Sequence, residues 1–222
     1  MRMPPITLVA GAACGLMPSV CLAQGELFPS LEAAPSAAIQ GVELQMPGDA
    51  QTIELSQHSR SARFTQDLDG DGKAENIAVM YRYDGHVLLQ VEDGQGARKT
   101  LDLGSQIDIN GIQETAMVWT TPASTTGVPL VVVEWAAGNY CGSGSWLAYV
   151  SVVNGEPRLA LEHSGHSGDA PMSADTVARF NAGRRSVVLT DTVTDSEDPS
   201  YSSTTRTAYA LRNGVFVKQG GS

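Results

Sequence analysis

Four acidic side chains are spaced at short intervals in the segment DLDGDGKAE, which spans residues 67–75. They belong to Asp67, Asp69, Asp71 and Glu75, at positions 1, 3, 5 and 9 of the segment. Carboxylates at this spacing suit calcium, a hard cation that takes about 6–8 oxygen ligands at about 2.3–2.6 Å. The glycines at positions 4 and 6 allow the backbone to curl and turn successive side chains inward. We therefore predict a calcium site, to which the backbone carbonyl of Lys73 adds a further oxygen.

The flanking residues distinguish this loop from an EF-hand. Ala78 stands at position 12, where an EF-hand has a bidentate Glu, and the flanks have strand-like patterns. The stretch at 66–85, QDLDGDGKAENIAVMYRYDG, instead resembles the calcium-binding blade motif of FG-GAP and VCBS repeats. That resemblance implies an Asp-rich calcium loop leading into an apolar β-strand, here in a single copy. The alternative is a solvated acidic turn without an ion, in which the four charges repel each other.

A second candidate for chemistry is Cys141, in the segment GNYCGSGSW at 138–146. This segment is similar to the active-site stretch of papain-type enzymes, whose thiol needs a histidine to take its proton. A cysteine hydrolase would use His163 or His166 as that base. The second Cys of the papain pattern is missing, and the residues that follow have a strand-like pattern. We therefore expect a Gly-rich loop between two strands here.

The segment HSGHSGD, residues 163–169, places His163, His166 and Asp169 at a spacing that suits a weak zinc or copper site. Its Ser/Gly composition favours the other interpretation, a turn with two exposed histidines.

The segment TDSEDPSYSSTTR, residues 194–206, is polar and long enough to form a presented loop. Tyr201 lies near its middle and is a candidate binding residue, because exposed tyrosines are favoured at interfaces. The alternative is a solvated acidic tip without a partner.

Short β-strands must position all of these residues. From about residue 51 onward, β-branched runs follow one another, and no segment carries a 3.6-residue apolar period over three turns. Turn-forming pairs separate many of the runs: Asp84-Gly85, Asp93-Gly94, Asn110-Gly111, Asn154-Gly155 and Asn213-Gly214. Such pairs tolerate the positive φ angles of tight hairpins and favour antiparallel pairing. We predict an all-β, antiparallel fold of short-stranded hairpins, either sandwich-like or a partial propeller.

Two runs carry specific expectations about burial. Alternation in ENIAVMYRY places Ile77 and Val79 on one face of a strand, with Ala78 and Met80 on the other. The run PLVVVEW, residues 129–135, is apolar on both faces, which predicts a central strand.

The amino terminus has the pattern of a secretory signal peptide, with a basic start, an apolar stretch and small residues before a cut after Ala23. A lipoprotein leader attached at Cys14 is the alternative. Residues 24–50, rich in Ala, Pro and Gln, are predicted to be a flexible lead-in, and residues 51–222 a single all-β domain. We therefore expect a periplasmic or secreted protein.

The composition of the chain limits the classes of partner that we expect it to bind. The chain has 14 Lys and Arg against 24 Asp and Glu, a formal net charge of −10, so we expect neither a nucleic-acid nor an anionic-membrane partner. Beyond the leader, no apolar run is long enough for a transmembrane helix. Two of the three cysteines lie in the leader, so after cleavage a single cysteine remains and no internal disulfide is possible.

These features lead to three functional hypotheses. The first is an exported, calcium-stabilised β-domain that acts as a non-catalytic binding module for another protein. The second is a periplasmic inhibitor or immunity protein against a peptidoglycan hydrolase, since the plan of the chain resembles that of bacterial lysozyme-inhibitor immunity proteins. An acidic binder would suit basic lysozymes. The third is a cysteine hydrolase that uses Cys141.

Overall fold

The computed structural model describes residues 40–54, 61–81, 86–104, 112–139, 142–169 and 171–220. Antiparallel strands dominate these residues, which confirms the predicted all-β fold. The strands are β1 (Val42–Glu43), β2 (Gln51–Glu54), β3 (Ser61–Gln66), β4 (Glu75–Tyr81), β5 (Val87–Glu92), β6 (Arg98–Asp102), β7 (Ile112–Thr121), β8 (Leu130–Asn139), β9 (Gly142–Val153), β10 (Glu156–Asp169), β11 (Met172–Asn181), β12 (Ser186–Asp195), β13 (Ser203–Arg212) and β14 (Val215–Lys218). A one-turn helix α1 (Ala123–Thr126) follows β7, and a 3₁₀ turn (Pro199–Tyr201) follows β12. Within the described ranges, no helix has the length and apolar character needed to cross a membrane.

The strands form two sheets. The small sheet has the order β3-β4-β5-β6. The large sheet has the order β14-β13-β12-β11-β10-β9-β8-β7-β2, with β1 added against β11. Most neighbouring strands in the two sheets are also consecutive in the chain, so hairpins build most of the fold. The exceptions are the pair β2 and β7 and the pair β1 and β11.

One apolar core lies between the two sheets. The small sheet contributes Ile77 and Val79, and both are buried, as the alternation in β4 predicted. The large sheet contributes Val131 and Val133 of β8. This arrangement is the sandwich-like packing of two faces, with each strand burying alternate residues.

A second core lies on the other face of β8, where Leu130 and Val132 are fully buried. The large sheet curls around this core. Ser151 of β9 donates a hydrogen bond to the carbonyl of Gly214, in the β13–β14 turn, at 2.7 Å, although four strands separate β9 from β14 in the sheet. Because β8 is apolar on both faces and lies between β7 and β9, the prediction of a central strand is confirmed.

Two of the predicted Asn-Gly turns have the expected geometry. Asn154 and Gly155 have φ angles of 54° and 71°, and Asn213 and Gly214 have φ angles of 50° and 80°. Two consecutive positive φ angles are what a two-residue hairpin turn requires. The Asp93-Gly94 pair differs, because there the positive φ belongs to Gly96 and the Asp93 carboxylate accepts hydrogen bonds from the N–H groups two and four residues on.

Two segments that we predicted to be loops are strands. Residues 142–146 belong to β9 and residues 163–169 to β10, and the two segments pair with each other. The pairing contains a register shift, and Gly165 lies inside it. A Cβ on Gly165 would come within 2.5 Å of the Ser145 Oγ atom and 2.7 Å of a Leu147 methyl carbon. A larger residue at this position would have to displace the ends of these two side chains, so glycine suits it, and local composition gave the wrong prediction.

The flexible lead-in that we predicted for residues 24–50 includes residues that the structure places in the folded domain. β1 pairs with Phe180 and Arg179 of β11, and the Arg179 guanidinium lies 3.2 Å from a carboxylate oxygen of Glu43. Leu44 and Ala50 pack against the second core. Residues 42–50 therefore belong to the folded domain, because burial of these apolar side chains holds them there.

Candidate metal site

The predicted metal ligands meet in the loop between β3 and β4. One carboxylate oxygen from each residue can be chosen so that all four lie within 4.8 Å of one another. The residues are Asp67, Asp69, Asp71 and Glu75. Of the side chains that the structure describes, these form the one group of three or more acidic, His or Cys residues close enough to share a metal ion. This geometry agrees with the prediction from the sequence that the four acidic side chains lie together in one cluster.

The loop is shaped by its own carboxylates. The two carboxylate oxygens of Asp67 accept hydrogen bonds from the N–H groups of Gly70 and Gly72, at 2.7 and 3.0 Å. The Oδ1 atom of Asp71 accepts from the N–H of Lys73 at 2.7 Å. Gly70 and Gly72 have φ angles of 80° and 86°, which only glycine adopts without strain. The sequence therefore folds into a tight curl that turns its acidic side chains towards a common point.

Glu75 is the most enclosed member of the cluster. It is the first residue of β4 and is 3% exposed, and its Oε2 atom accepts a hydrogen bond from the N–H of Leu68 at 2.7 Å. Burial raises the pKa of the Glu75 carboxyl above its usual range; the Leu68 N–H opposes this effect, and the neighbouring Asp carboxylates add to it. Ionisation of Glu75 is thus less favourable here than in water, and a cation among the carboxylates would offset this effect.

Asp69 connects the loop to the large sheet. Its Oδ2 atom accepts a hydrogen bond of 3.0 Å from the N–H of Gly155, in the β9–β10 turn. Next to this turn, Glu156 at the start of β10 forms an ion pair with Lys99 of β6. The acidic loop therefore lies where the small sheet meets a hairpin of the large one. Nothing in the sequence indicated the contact with Gly155, which lies 86 residues away along the chain.

Lys73 lies beside the cluster. Its ammonium group is 3.7 Å from Oδ2 of Asp71 and its side chain is 69% exposed, so it is a solvated counter-charge that leaves the cluster open. The role of its carbonyl as a ligand stays a prediction.

The donor set fits a hard cation. All four side chains offer oxygen, and neither nitrogen nor sulfur takes part, which suits calcium or magnesium rather than zinc or copper. Three of the four residues are partly exposed or open to solvent, so water can complete the coordination shell. Four carboxylates in one loop suit calcium better than magnesium, which requires a smaller octahedral shell at about 2.0–2.1 Å and usually binds through one or two carboxylates.

The two histidines of β10 have separate structural contacts. His163 is 8% exposed, which corrects the prediction that it is an exposed loop residue. Its Nδ1 atom lies 2.8 Å from the carbonyl oxygen of Ser164, and its Nε2 atom lies 3.1 Å from the hydroxyl of Tyr149. His166 instead pairs with Asp175 at 2.8 Å on the surface. The described side chains therefore give no support to a shared zinc or copper site.

The contacts of His163 fix its proton. A carbonyl can only accept, so Nδ1 carries the hydrogen, and Nε2 accepts from the Tyr149 hydroxyl. Burial lowers the pKa of His163 from its ordinary value of 6.5, while the Ser164 carbonyl and the charge of Asp191 oppose that shift. Burial also raises the pKa of Tyr149, and Glu134 adds to this effect. Both shifts favour the neutral forms of His163 and Tyr149 in the folded protein.

We expect His163 to make stability depend on pH. Because its pKa is lower in the folded than in the unfolded state, the unfolded chain binds more protons below about pH 6.5. The free energy of unfolding should therefore fall as the pH drops below this value towards the lowered folded pKa. Urea unfolding between about pH 7.5 and 5.5 measures this loss. The loss should be smaller in His163→Gln than in the wild type; an equal loss in both proteins would contradict the assignment.

The remaining predicted residues have different outcomes. Tyr201 ends the 3₁₀ turn after β12 and is 70% exposed, in agreement with the presented loop that we predicted. Cys141 lies outside the described residues, as does the leader with its predicted cut and lipid-attachment sites.

Comparisons with protein-family models, with curated proteins and with solved structures found no match to this chain. Its function is therefore inferred from its own residues.

Proposed function

We propose that this chain is an exported, non-catalytic β-domain whose acidic loop binds one calcium ion, and that the domain serves as a binding module for another protein. The observation that carries the proposal is the convergence of four carboxylates within 4.8 Å at one loop. Without a cation, that convergence is unfavourable by charge repulsion alone. The signal-peptide pattern of residues 1–23 supports export, and many extracellular calcium sites are weak, about 10⁻⁴–10⁻³ M, because calcium is plentiful there.

The ion would act on structure rather than on chemistry. Asp69 contacts the β9–β10 turn through Gly155, and Glu75 begins β4, so an ion held by both joins the large sheet to the small one. Calcium binds the folded loop and has little affinity for the unfolded chain, so it adds free energy of unfolding by mass action. The result is a braced scaffold that presents loops elsewhere on its surface.

The binding role follows from what the domain presents. A rigid sheet scaffold with polar loops at the ends of its strands is a common basis for recognition. The exposed Tyr201 on an acidic loop is the kind of residue that anchors protein interfaces. In the part of the chain that the structure describes, His163 has its ring nitrogens engaged by Ser164 and Tyr149, which supports a structural rather than a catalytic role for it.

Thermal melting with and without calcium tests this proposal. At about 10 mM calcium and a Kd of about 10⁻⁴–10⁻³ M, binding adds about 1.4–2.7 kcal/mol. That gain raises the Tm of a domain of this size by about 3–10 °C. Asp71→Asn should lose most of this shift, because its Oδ1 atom still accepts from Lys73 while one ligand charge is gone.

Asp93→Asn is the matched control, since Asp93 shapes the β5–β6 turn in a similar way but lies outside the cluster. Calcium should raise the Tm of this variant by as much as it raises the Tm of the wild type. A wild-type Tm that does not change between calcium and chelator would exclude the bracing role.

A second candidate function is inhibition of a basic peptidoglycan hydrolase. The observation that favours it is the net charge of −10 combined with the exposed Tyr201. Opposite charges speed association at low salt, so inhibition of a lysozyme should weaken as the salt concentration rises. A lysozyme assay with micromolar protein in low salt tests it, and full enzyme activity under those conditions would rule out this candidate.

A further inference from the structure

Two of the large apolar side chains that are exposed lie at the same end of the large sheet. Tyr201 is 70% exposed and Met172 is 41% exposed. Met172 begins β11 and pairs with Asp195, the last residue of β12, while Tyr201 lies in the loop that follows β12. We name this region the acidic tip and define it as residues 171–175 and 194–203.

The acidic tip carries charge of one sign. Its two segments contain four acidic residues and neither Lys nor Arg. The acidic residues are Asp175, Asp195, Glu197 and Asp198. Asp175 pairs with His166 of the neighbouring strand, and the other three follow one another along the loop that carries Tyr201. Exposed apolar side chains with a carboxylate rim are suited to a surface with the opposite charge.

The loop that carries Tyr201 is held by its own side chains. Oδ1 of Asp195 accepts hydrogen bonds from the N–H groups of Glu197 and Asp198, at 2.8 and 3.0 Å. Oδ1 of Asp198 accepts from both the N–H and the hydroxyl of Ser200, at 3.0 and 2.6 Å. The N–H of Tyr201 donates to the carbonyl of Asp198 at 3.1 Å.

The loop is also tied to the adjacent hairpin. Both the N–H and the hydroxyl of Ser196 donate to the carbonyl of Pro171, at 3.0 and 3.2 Å. Pro171 immediately precedes Met172, so the two exposed apolar residues lie on segments that are bonded together. An aromatic side chain on such a preorganised loop loses little conformational entropy on binding.

We propose that the acidic tip is the docking surface of this binding module, and that its partner is a protein surface in which Lys and Arg side chains ring an apolar pocket. Tyr201 and Met172 would enter the pocket, while Glu197 and Asp198 would face the basic rim. This inference rests on the proposed binding function and assigns its surface. The acidic tip and the calcium loop lie at opposite ends of β10, because the loop contacts Gly155 before Glu156 and the tip begins beyond Asp169.

The experiment is a selection of a random peptide library, displayed on phage, against the full chain and against Tyr201→Ser. We expect peptides enriched on the wild type to place Lys or Arg beside a large apolar residue. A synthetic copy of such a peptide should bind Tyr201→Ser at least about 30-fold more weakly, as for a hot-spot residue. Met172→Ser should weaken binding in the same direction. Both residues are exposed, so the variants should keep the wild-type Tm.

Charge is tested with a matched pair of double variants. Glu197→Gln with Asp198→Asn removes two charges from the acidic tip, and the Asn oxygen can still accept from Ser200. Glu162→Gln with Asp49→Asn removes two exposed charges elsewhere. The first double variant should bind the peptide more weakly than the wild type, with a smaller dependence on salt concentration. The second double variant should have the affinity and the salt dependence of the wild type.

Three results would overturn the proposal: no enrichment that depends on Tyr201, enriched peptides without basic residues, or Tyr201-dependent binding of a polysaccharide array instead of peptides. Two readouts separate the docking surface from the calcium site: peptide binding, measured on the wild type and on Asp71→Asn, and the calcium-induced shift in Tm. If peptides bind but calcium does not change the Tm, the docking surface stands and the calcium site is refuted. If calcium raises the Tm but no peptide binding depends on Tyr201, the calcium site stands and the docking surface is refuted.

Discussion

Replacing Glu75 with Gln is expected to make the calcium-free domain more stable while removing most of its response to calcium. Glu75 is buried and three Asp carboxylates surround it, so its negative charge is unfavourable when no cation is present. Gln has nearly the same shape, and its amide oxygen can still accept the hydrogen bond from the N–H of Leu68. The substitution therefore removes the charge and preserves the packing.

In calcium the order of stability should reverse. The wild type gains binding free energy, whereas the Gln variant has lost the one ligand that is both charged and buried. We expect its calcium affinity to fall at least about tenfold, which corresponds to about 1.4 kcal/mol. Urea unfolding of both proteins in chelator and in calcium measures the four free energies. A variant that is less stable than the wild type in both conditions would show that Glu75 serves only the packing of β4.

Replacing Phe180 with Ala is expected to produce the largest loss of stability in the domain. Phe180 is fully buried in the second core, with its ring centroid 5.3 Å from that of Tyr149 and 5.6 Å from that of Phe216. These three rings come from β9, β11 and β14, so they hold the curl of the large sheet together. Removing a buried aromatic ring costs about 3–5 kcal/mol, because it deletes apolar burial and leaves a cavity. The Tm should fall by about 6–20 °C.

Val217→Ala is the matched control, since Val217 lies on the edge strand β14 and is 47% exposed. It should change stability by no more than about 0.5 kcal/mol. The calcium-induced shift in Tm should survive in both variants, because the second core and the acidic loop share no residues. A Phe180→Ala protein with the same Tm as the wild type would contradict the role of the three rings in stabilising the large sheet.

The parts of the fold that local signals determine were predictable from the sequence. Alternation in β4 placed Ile77 and Val79 in the core, and the doubly apolar run of β8 indicated a central strand. The Asn154-Gly155 and Asn213-Gly214 turns have the positive φ angles that their residue types favour. In the same way, the acidic cluster was predictable because its four members lie within nine residues of each other.

Long-range pairing accounts for the incorrect predictions. Residues 142–146 and 163–169 are rich in Ser and Gly, which disfavour strands, yet each forms a ladder with the other. Pairing across the hairpin overrides propensity there, and Gly165 permits the close approach. For the same reason His163 is buried beside Tyr149 rather than exposed in a loop.

The contacts that join distant parts of the chain had no sequence signal. Glu43 and Arg179 are 136 residues apart, and their pairing brings β1 into a domain that we expected to begin at residue 51. Gly155 was predictable as a turn residue, but its hydrogen bond to Asp69 depends on how the two sheets pack. The sequence therefore predicted which residues could bind an ion but not which elements that ion would join.

Calorimetric titration of calcium into the purified protein tests the central claim most directly. We expect one saturable site with a Kd of about 10⁻⁴–10⁻³ M. The same titration should show strongly reduced binding in Asp71→Asn and unchanged binding in Asp93→Asn. Absence of calcium binding by the wild type, or equal binding by the wild type and Asp71→Asn, would contradict the assignment of the acidic loop as a calcium site.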